Sequence, residues 1–151
     1  MQKQVVLVDG SGYLFRAFHA LPPLTNPDGQ PTGAVFGVMN MMRRLEQDYH
    51  DADIVVVFDP PGPTKRHTIF PEYKANRSAM PDDLKVQIEP LHRLIRAKGY
   101  PLCIEPGHEA DDVIGTLANR YVRAGYSVVI CTGDKDFAQL VCDDIVLLDT
   151  M

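Results

Sequence analysis

"EADDVIGTLANRYVRAGYSVVICTGDKD", residues 109–136, holds the unit from which the rest of the fold follows. Glu109, Asp111 and Asp112 open an apolar helical pattern over 109–124, which Gly125 closes. Behind it, "YSVVICTGD" (126–134) is β-branched and apolar on consecutive positions, as a strand covered on both faces requires. A helix feeding such a strand is half of a βαβ unit. The strand ends on further acids, Asp134 and Asp136, and a short helix is expected after Lys135.

Similar runs recur at "QVVLVD" (4–9), "DIVVVFD" (53–59), "YPLCIE" (100–105) and "DIVLLDT" (144–150). Helical stretches over 33–49 and 81–98 lie between them. Pro81 suits a first helical position and Gly99 a stop, while Pro90 predicts a kink or a restart. The alternation predicts an α/β fold of three layers, a mainly parallel central sheet with helices on both faces. Two segments interrupt it. "LPPLTNPDGQPTG" (21–33) is a turn-rich loop. "PPGPTKRHTIFPEYKANRSAMP" (60–81) is longer than a compact fold needs, and connections of that length usually carry function.

A chain of 151 residues is one domain by length, and 45% hydrophobic with 23% charged residues excludes a disordered chain. The apolar run after Met1 is too short for a signal peptide, and no stretch approaches a membrane span. The expectation is a cytoplasmic protein with no membrane partner. Three cysteines, Cys103, Cys131 and Cys142, are odd in number and lack metal-ligand spacing, so free thiols in a reducing compartment are expected. The net charge of -5 divides into -3 over 1–59, +4 over 60–98 and -6 over 99–151. A basic middle between acidic flanks fits a polyanion held near a cation-loaded carboxylate pocket. Uneven charge on a solvated surface is the plainer alternative.

In an open parallel sheet, ligands collect beyond the carboxyl ends of the strands. Asp9 ends the first run, Asp59 the second, Asp134 and Asp136 a later one, and Glu109, Asp111 and Asp112 start a helix at the same edge. Seven carboxylates on one rim repel one another strongly without cations. An all-oxygen cluster suits Mg²⁺ or Mn²⁺, and two such ions can clamp a phosphodiester while one ionises the attacking water. Each acid has a plainer reading alone: acids favour a helix N-terminus, and Asp favours turns. Turn propensity does not demand acids at successive strand ends, however, and that recurrence favours a metal site. In the basic segment, Lys65, Arg66, Lys74 and Arg77 can neutralise phosphates and Tyr73 can stack on an unpaired base; a solvated loop is the alternative. Arg16 can touch a phosphate or form a surface ion pair, and His19 reads as structural. No Ser-His-Asp order, P-loop or dinucleotide glycine pattern appears.

"LVDGSGYLFRAFHALPPLTNPDGQPTGAVFGVMNM", "FPEYKANRSAMPDDL" and "EADDVIGTLANRYVRAGYSVVICTGDKDFAQLV" resemble the N-terminal 5′-nuclease domains of bacterial DNA polymerase I, in the flap endonuclease family. The resemblance covers essentially the whole chain, in order. It implies a structure-specific 5′-3′ exonuclease and flap endonuclease of PIN-like fold, using two Mg²⁺ or Mn²⁺ ions in replication and repair. Its expected partners are DNA with 5′ flaps or nicks, RNA primers and the remainder of a nuclease/polymerase chain. Asp9, Asp59, Glu109, Asp111, Asp112, Asp134 and Asp136 match the metal-binding carboxylates. Asp9 and Asp112, with the basic pair Lys74 and Arg77, take the catalytic roles. Arg16 and Tyr73 join that pair as substrate contacts by the resemblance, and Lys65 and Arg66 are added on their charge alone; most of these positions lie in an arch-like segment near 60–81.

Pro61 and Lys65 stand where the family commonly has a lysine and an aromatic, and "RSAMP" replaces a frequent double proline. Family members continue past "LLDTM" into a Gly-Asp-x-x-Asp-Asn segment and a duplex-binding motif. The chain is therefore expected to be the metal-binding front part of such a domain, with weak or no activity alone. A non-catalytic DNA- or partner-binding fragment and a PIN-like ribonuclease are the alternatives.

Overall fold

The computed structural model describes residues 2–61 and 80–149. Five strands, β1 (Gln4–Asp9), β2 (Asp53–Val57), β3 (Leu102–Cys103), β4 (Ser127–Cys131) and β5 (Ile145–Leu148), form one parallel sheet in the order β3-β2-β1-β4-β5. Among the described residues four α-helices accompany it: α1 (Gly10–Ala20), α2 (Gly33–Asp48), α3 (Asp82–Ala97) and α4 (Ala110–Arg123). A 3-10 helix spans Lys135–Leu140.

The consecutive apolar residues of β1 serve two cores. Val6 and Val8 pack with Tyr13, Leu14, Val38, Met42, Leu91 and Ile95 of α1, α2 and α3. Val5 and Leu7 point the other way, to Val113, Ile114 and Ala118 of α4 and Phe137 of the 3-10 helix. Side chains alternate between faces along a strand, so only an unbroken apolar run can feed both layers. Each such residue fully buried stabilises the fold by about 1.5–3 kcal/mol. The three-layer expectation is met.

The differences from the sequence patterns have local causes. No pattern announces a helix over 10–20, where glycines at positions 10 and 12 oppose one. Helix α1 forms because Asp9 caps it and Tyr13, Leu14 and Ala17 are buried on one face. The run at 100–105 shrinks to the two residues of β3, an edge strand flanked by Pro101 and Pro106, which have no N–H to donate to a ladder. Helix α3 runs on through Pro90. Val86, whose carbonyl loses its helical donor to Pro90, is exposed, so water can replace that donor.

Gln87 explains how α2 begins. Thr32, at its N-cap, makes no side-chain cap bond. Instead Gln87 of α3, 2% exposed, accepts the N–H groups of Ala34 at 2.8 Å and Val35 at 3.1 Å. Its own amide donates to the Asp83 carbonyl at 2.8 Å, which fixes the amide's orientation. Gln87→Leu strands two helix-start donors and is expected to cost about 2–3 kcal/mol in urea denaturation; an unchanged midpoint contradicts this account.

Candidate metal centre

The strand order reverses direction between β1 and β4, the point at which open parallel sheets offer a crevice. Asp9 ends β1, and Thr132, Gly133 and Asp134 leave β4 directly beside it. Asp59 follows β2, and Glu109 precedes α4 on the same edge.

Helix starts explain how several of these acids are held. An N-terminal turn has N–H groups without intrahelical partners and a favourable field for negative charge. Asp9 Oδ1 accepts the Gly12 N–H of α1 at 3.0 Å, and its Oδ2 accepts the Thr132 hydroxyl at 2.9 Å. Asp59 Oδ1 accepts the N–H of Ala110, the first residue of α4, at 2.7 Å, and the Asp59 N–H donates to Ser11 Oγ at 2.8 Å. Asp134 Oδ1 accepts the Asp136 N–H at 2.9 Å and so caps the 3-10 helix. Two glycines make room. A Cβ on Gly12 would overlap the Asp9 carboxylate, and one on Gly133 would overlap the Arg16 guanidinium.

Burial and mutual repulsion mark the electrostatics. Asp9 is 7% exposed, and burial raises its pKa; the Gly12 and Thr132 hydrogen bonds oppose that rise, while Asp59 and Asp134 add to it. Asp111 is pushed up to about 6, first by burial and then by the charges of Asp9, Asp134, Asp59 and Glu109. The carboxyls of five acids therefore act on one another. Asp112 and Asp136 join Asp111 and Asp134 along an adjoining cleft of about 630 Å³ between α4 and the 3-10 helix.

The sign of the resulting pH dependence is fixed. A carboxyl whose pKa is higher in the folded chain contributes stability below its ordinary value near 3.8, and that contribution is lost as pH rises through about 6. His92, lowered chiefly by burial, works in the opposite direction below 6.5. In ion-free buffer, carbon-detected NMR is therefore expected to show the Asp111 carboxyl titrating near 6. A midpoint near 3.8 contradicts the cluster.

All seven predicted acids come to one edge of the sheet, though not in equal roles. Among the described residues no group of three acidic, histidine or cysteine side chains stands in an arrangement that could hold an ion. Asp9, Asp59 and Asp134 are turned toward the backbone donors just named. The donor chemistry still fits a hard divalent cation: the rim offers carboxylate oxygens, and the crowding that raises Asp111 is relieved by positive charge.

The basic positions have different outcomes. Arg16 forms an ion pair with Asp149 at 2.9 Å and lies 5.9 Å from the centre of the Tyr13 ring. Lys65, Arg66, Tyr73, Lys74 and Arg77 lie outside the described residues. His19 is exposed and packs edge-on against Phe15 and Phe18. The sequence patterns gave no role to Ser11 or Thr132, whose hydroxyls hold the acid-bearing turns. They also missed a groove of about 790 Å³ between α1 and α2, where Phe15 and Phe36 stand exposed beside Arg16 and Arg44. The one available signal was Thr132 itself, a polar residue directly after an apolar strand.

A family model for the 5′-3′ exonuclease, N-terminal resolvase-like domain, matches residues 4–151. DNA polymerase I of Pseudomonas aeruginosa is 61% identical over 150 residues, 99% of this chain and 16% of the polymerase. The 5′-3′ exonuclease of Aquifex aeolicus is 41% identical over 149 residues, 99% of this chain and 52% of that protein. The chain thus spans about half of one curated relative and a much smaller share of the other. In fold it is similar to the bacteriophage T5 D15 flap endonuclease crystallised with DNA and metal ions, with a TM-score of 0.68 and 20% identity over 97% of this chain and 54% of that one. The chain belongs to the family of 5′-3′ exonuclease N-terminal resolvase-like domains.

Proposed function

We propose that the protein is the metal-binding part of a structure-specific 5′ nuclease that hydrolyses DNA phosphodiesters in replication and repair. The observation that carries this reading is the convergence of Asp9, Asp59, Glu109, Asp111 and Asp134 at the switch point of the sheet, crowded enough that burial and mutual charge push the Asp111 pKa up. Acids held together in that state are matched to divalent cations. Asp9, Asp59, Glu109, Asp111, Asp112, Asp134 and Asp136 hold Mg²⁺ or Mn²⁺, two ions in the complete nuclease. When bound, the ions supply a water ionised near neutral pH and positive charge against the phosphate.

The chain's own residues do the positioning. Asp9 is fixed by Gly12 and Thr132, and Asp59 is fixed by its bond to the start of α4. Asp112 and Asp136 face the cleft that remains open to a phosphate. Lys74 and Arg77 orient the scissile phosphate, with Lys65, Arg66, Tyr73 and Arg16 as further contacts to the strand. The substrates are 5′ flaps, nicks and RNA primers, the partner is the remainder of a nuclease/polymerase chain, and the setting is the cytoplasm.

The test is incubation with a 5′-flap duplex in Mg²⁺, in Mn²⁺ and in EDTA. Ion-dependent release of the flap supports the reading, even when slow. A protein that binds the flap and never cuts it is a non-catalytic module, and a preference for single-stranded RNA in competition identifies a ribonuclease.

A further inference from the structure

We propose that Thr132 is a positioning residue for the metal centre: its hydroxyl locks the Asp9 carboxylate and ties the strand end carrying Asp9 to the turn carrying Asp134. The inference rests on the metal-centre reading above. Thr132 is 3% exposed, directly beyond Cys131, which is paired with Val8 across β4 and β1. It therefore stands across from Asp9 at the point where the sheet changes direction.

The hydrogen-bond accounting leaves the hydroxyl no freedom. The Asp134 N–H is a donor, so Thr132 Oγ1 accepts it at 3.0 Å, and the single hydroxyl hydrogen goes to Asp9 Oδ2 at 2.9 Å. With Oδ1 held by the Gly12 N–H, the Asp9 carboxylate is gripped at both oxygens and cannot rotate about its axis without breaking a bond. Each oxygen retains acceptor capacity, so the grip orients the group without using it up. A β-branched side chain adds stiffness, because threonine has few χ1 choices. The same hydroxyl fixes the backbone of Asp134, whose own carboxylate caps the next turn. One side chain thus sets two of the acids relative to each other across the crevice. Partners of this kind, which orient ligands without touching the ion, typically govern metal affinity by about 10–100-fold.

A merely structural role predicts lost stability without a selective effect on ion binding, so the two quantities are measured together. The variants are Thr132→Val, which keeps the shape and β-branch and removes the hydroxyl, and Thr132→Ser, which keeps the hydroxyl. Mn²⁺ affinity is read by calorimetry and stability by thermal melting in EDTA. The expected result is that Thr132→Val weakens Mn²⁺ binding about 10–100-fold and Thr132→Ser stays within a few-fold of the parent. If valine prevents folding, Thr132→Ala removes the hydroxyl without added bulk and carries the same expectation. A folded variant lacking the hydroxyl that binds Mn²⁺ with parental affinity overturns the proposal, as does a serine variant as weak as the valine one. A parent chain with no Mn²⁺ binding sensitive to Asp111→Asn overturns instead the metal-centre reading itself.

Discussion

Asp111→Asn is expected to lower ion-dependent flap cleavage about 10³-fold while raising the melting temperature of the ion-free protein. The loss corresponds to roughly 4 kcal/mol of transition-state charge stabilisation, the scale of what a bound divalent ion contributes at a phosphate. The gain has the opposite origin. Asp111 is ionised at neutral pH against burial and the charges of Asp9, Asp134, Asp59 and Glu109, and asparagine removes that charge at nearly constant shape. Discounted for solvent at a half-buried group, the relief is about 1 kcal/mol, or about 2–4 °C in a domain of this size. Opposite signs in one variant separate a functional cluster from an acidic helix start that merely suits the helix dipole. A stabilised variant with undiminished cleavage, or a destabilised one, contradicts the account.

The second large effect is expected from the ion. At a free Mn²⁺ concentration 100-fold above its dissociation constant, folding gains about 2.7 kcal/mol, and thermal melting is expected to rise by about 5–10 °C. The rise is larger at pH 7 than at pH 5, because protons compete with the ion at Asp111 and Asp9, both of which hold their protons to higher pH than an ordinary carboxyl. EDTA reverses it. A shift equal at both pH values, or none at saturating ion, contradicts the assignment of the ion to these acids.

Much of the fold was legible because both faces of the sheet are covered. That coverage forces the unbroken apolar runs of β1, β2 and β4, and the acids at their ends follow from where a parallel sheet opens. Helix α1 was not legible, since its glycines at positions 10 and 12 oppose a helix locally and its stability comes from the Asp9 cap and from burial of Tyr13, Leu14 and Ala17. For the same reason Gln87 could not be read as a cap: its targets, Ala34 and Val35, are more than 50 residues away in sequence. The seven acids were readable as a set. Their division into a mutually repelling group around Asp111 and a cleft-lining pair, Asp112 and Asp136, depends on how α4 and the 3-10 helix pack. Thr132 belongs with Gln87, because only the pairing of β4 with β1 brings its hydroxyl to Asp9.

The most direct test of the central claim is anomalous diffraction from crystals of the protein soaked in Mn²⁺. Manganese is expected at the carboxyl edge of the sheet, within coordination distance of Asp111 and of carboxylate oxygens from Asp9, Asp59 or Asp134. Manganese bound only elsewhere, or absent from this edge at saturating concentration, would contradict it.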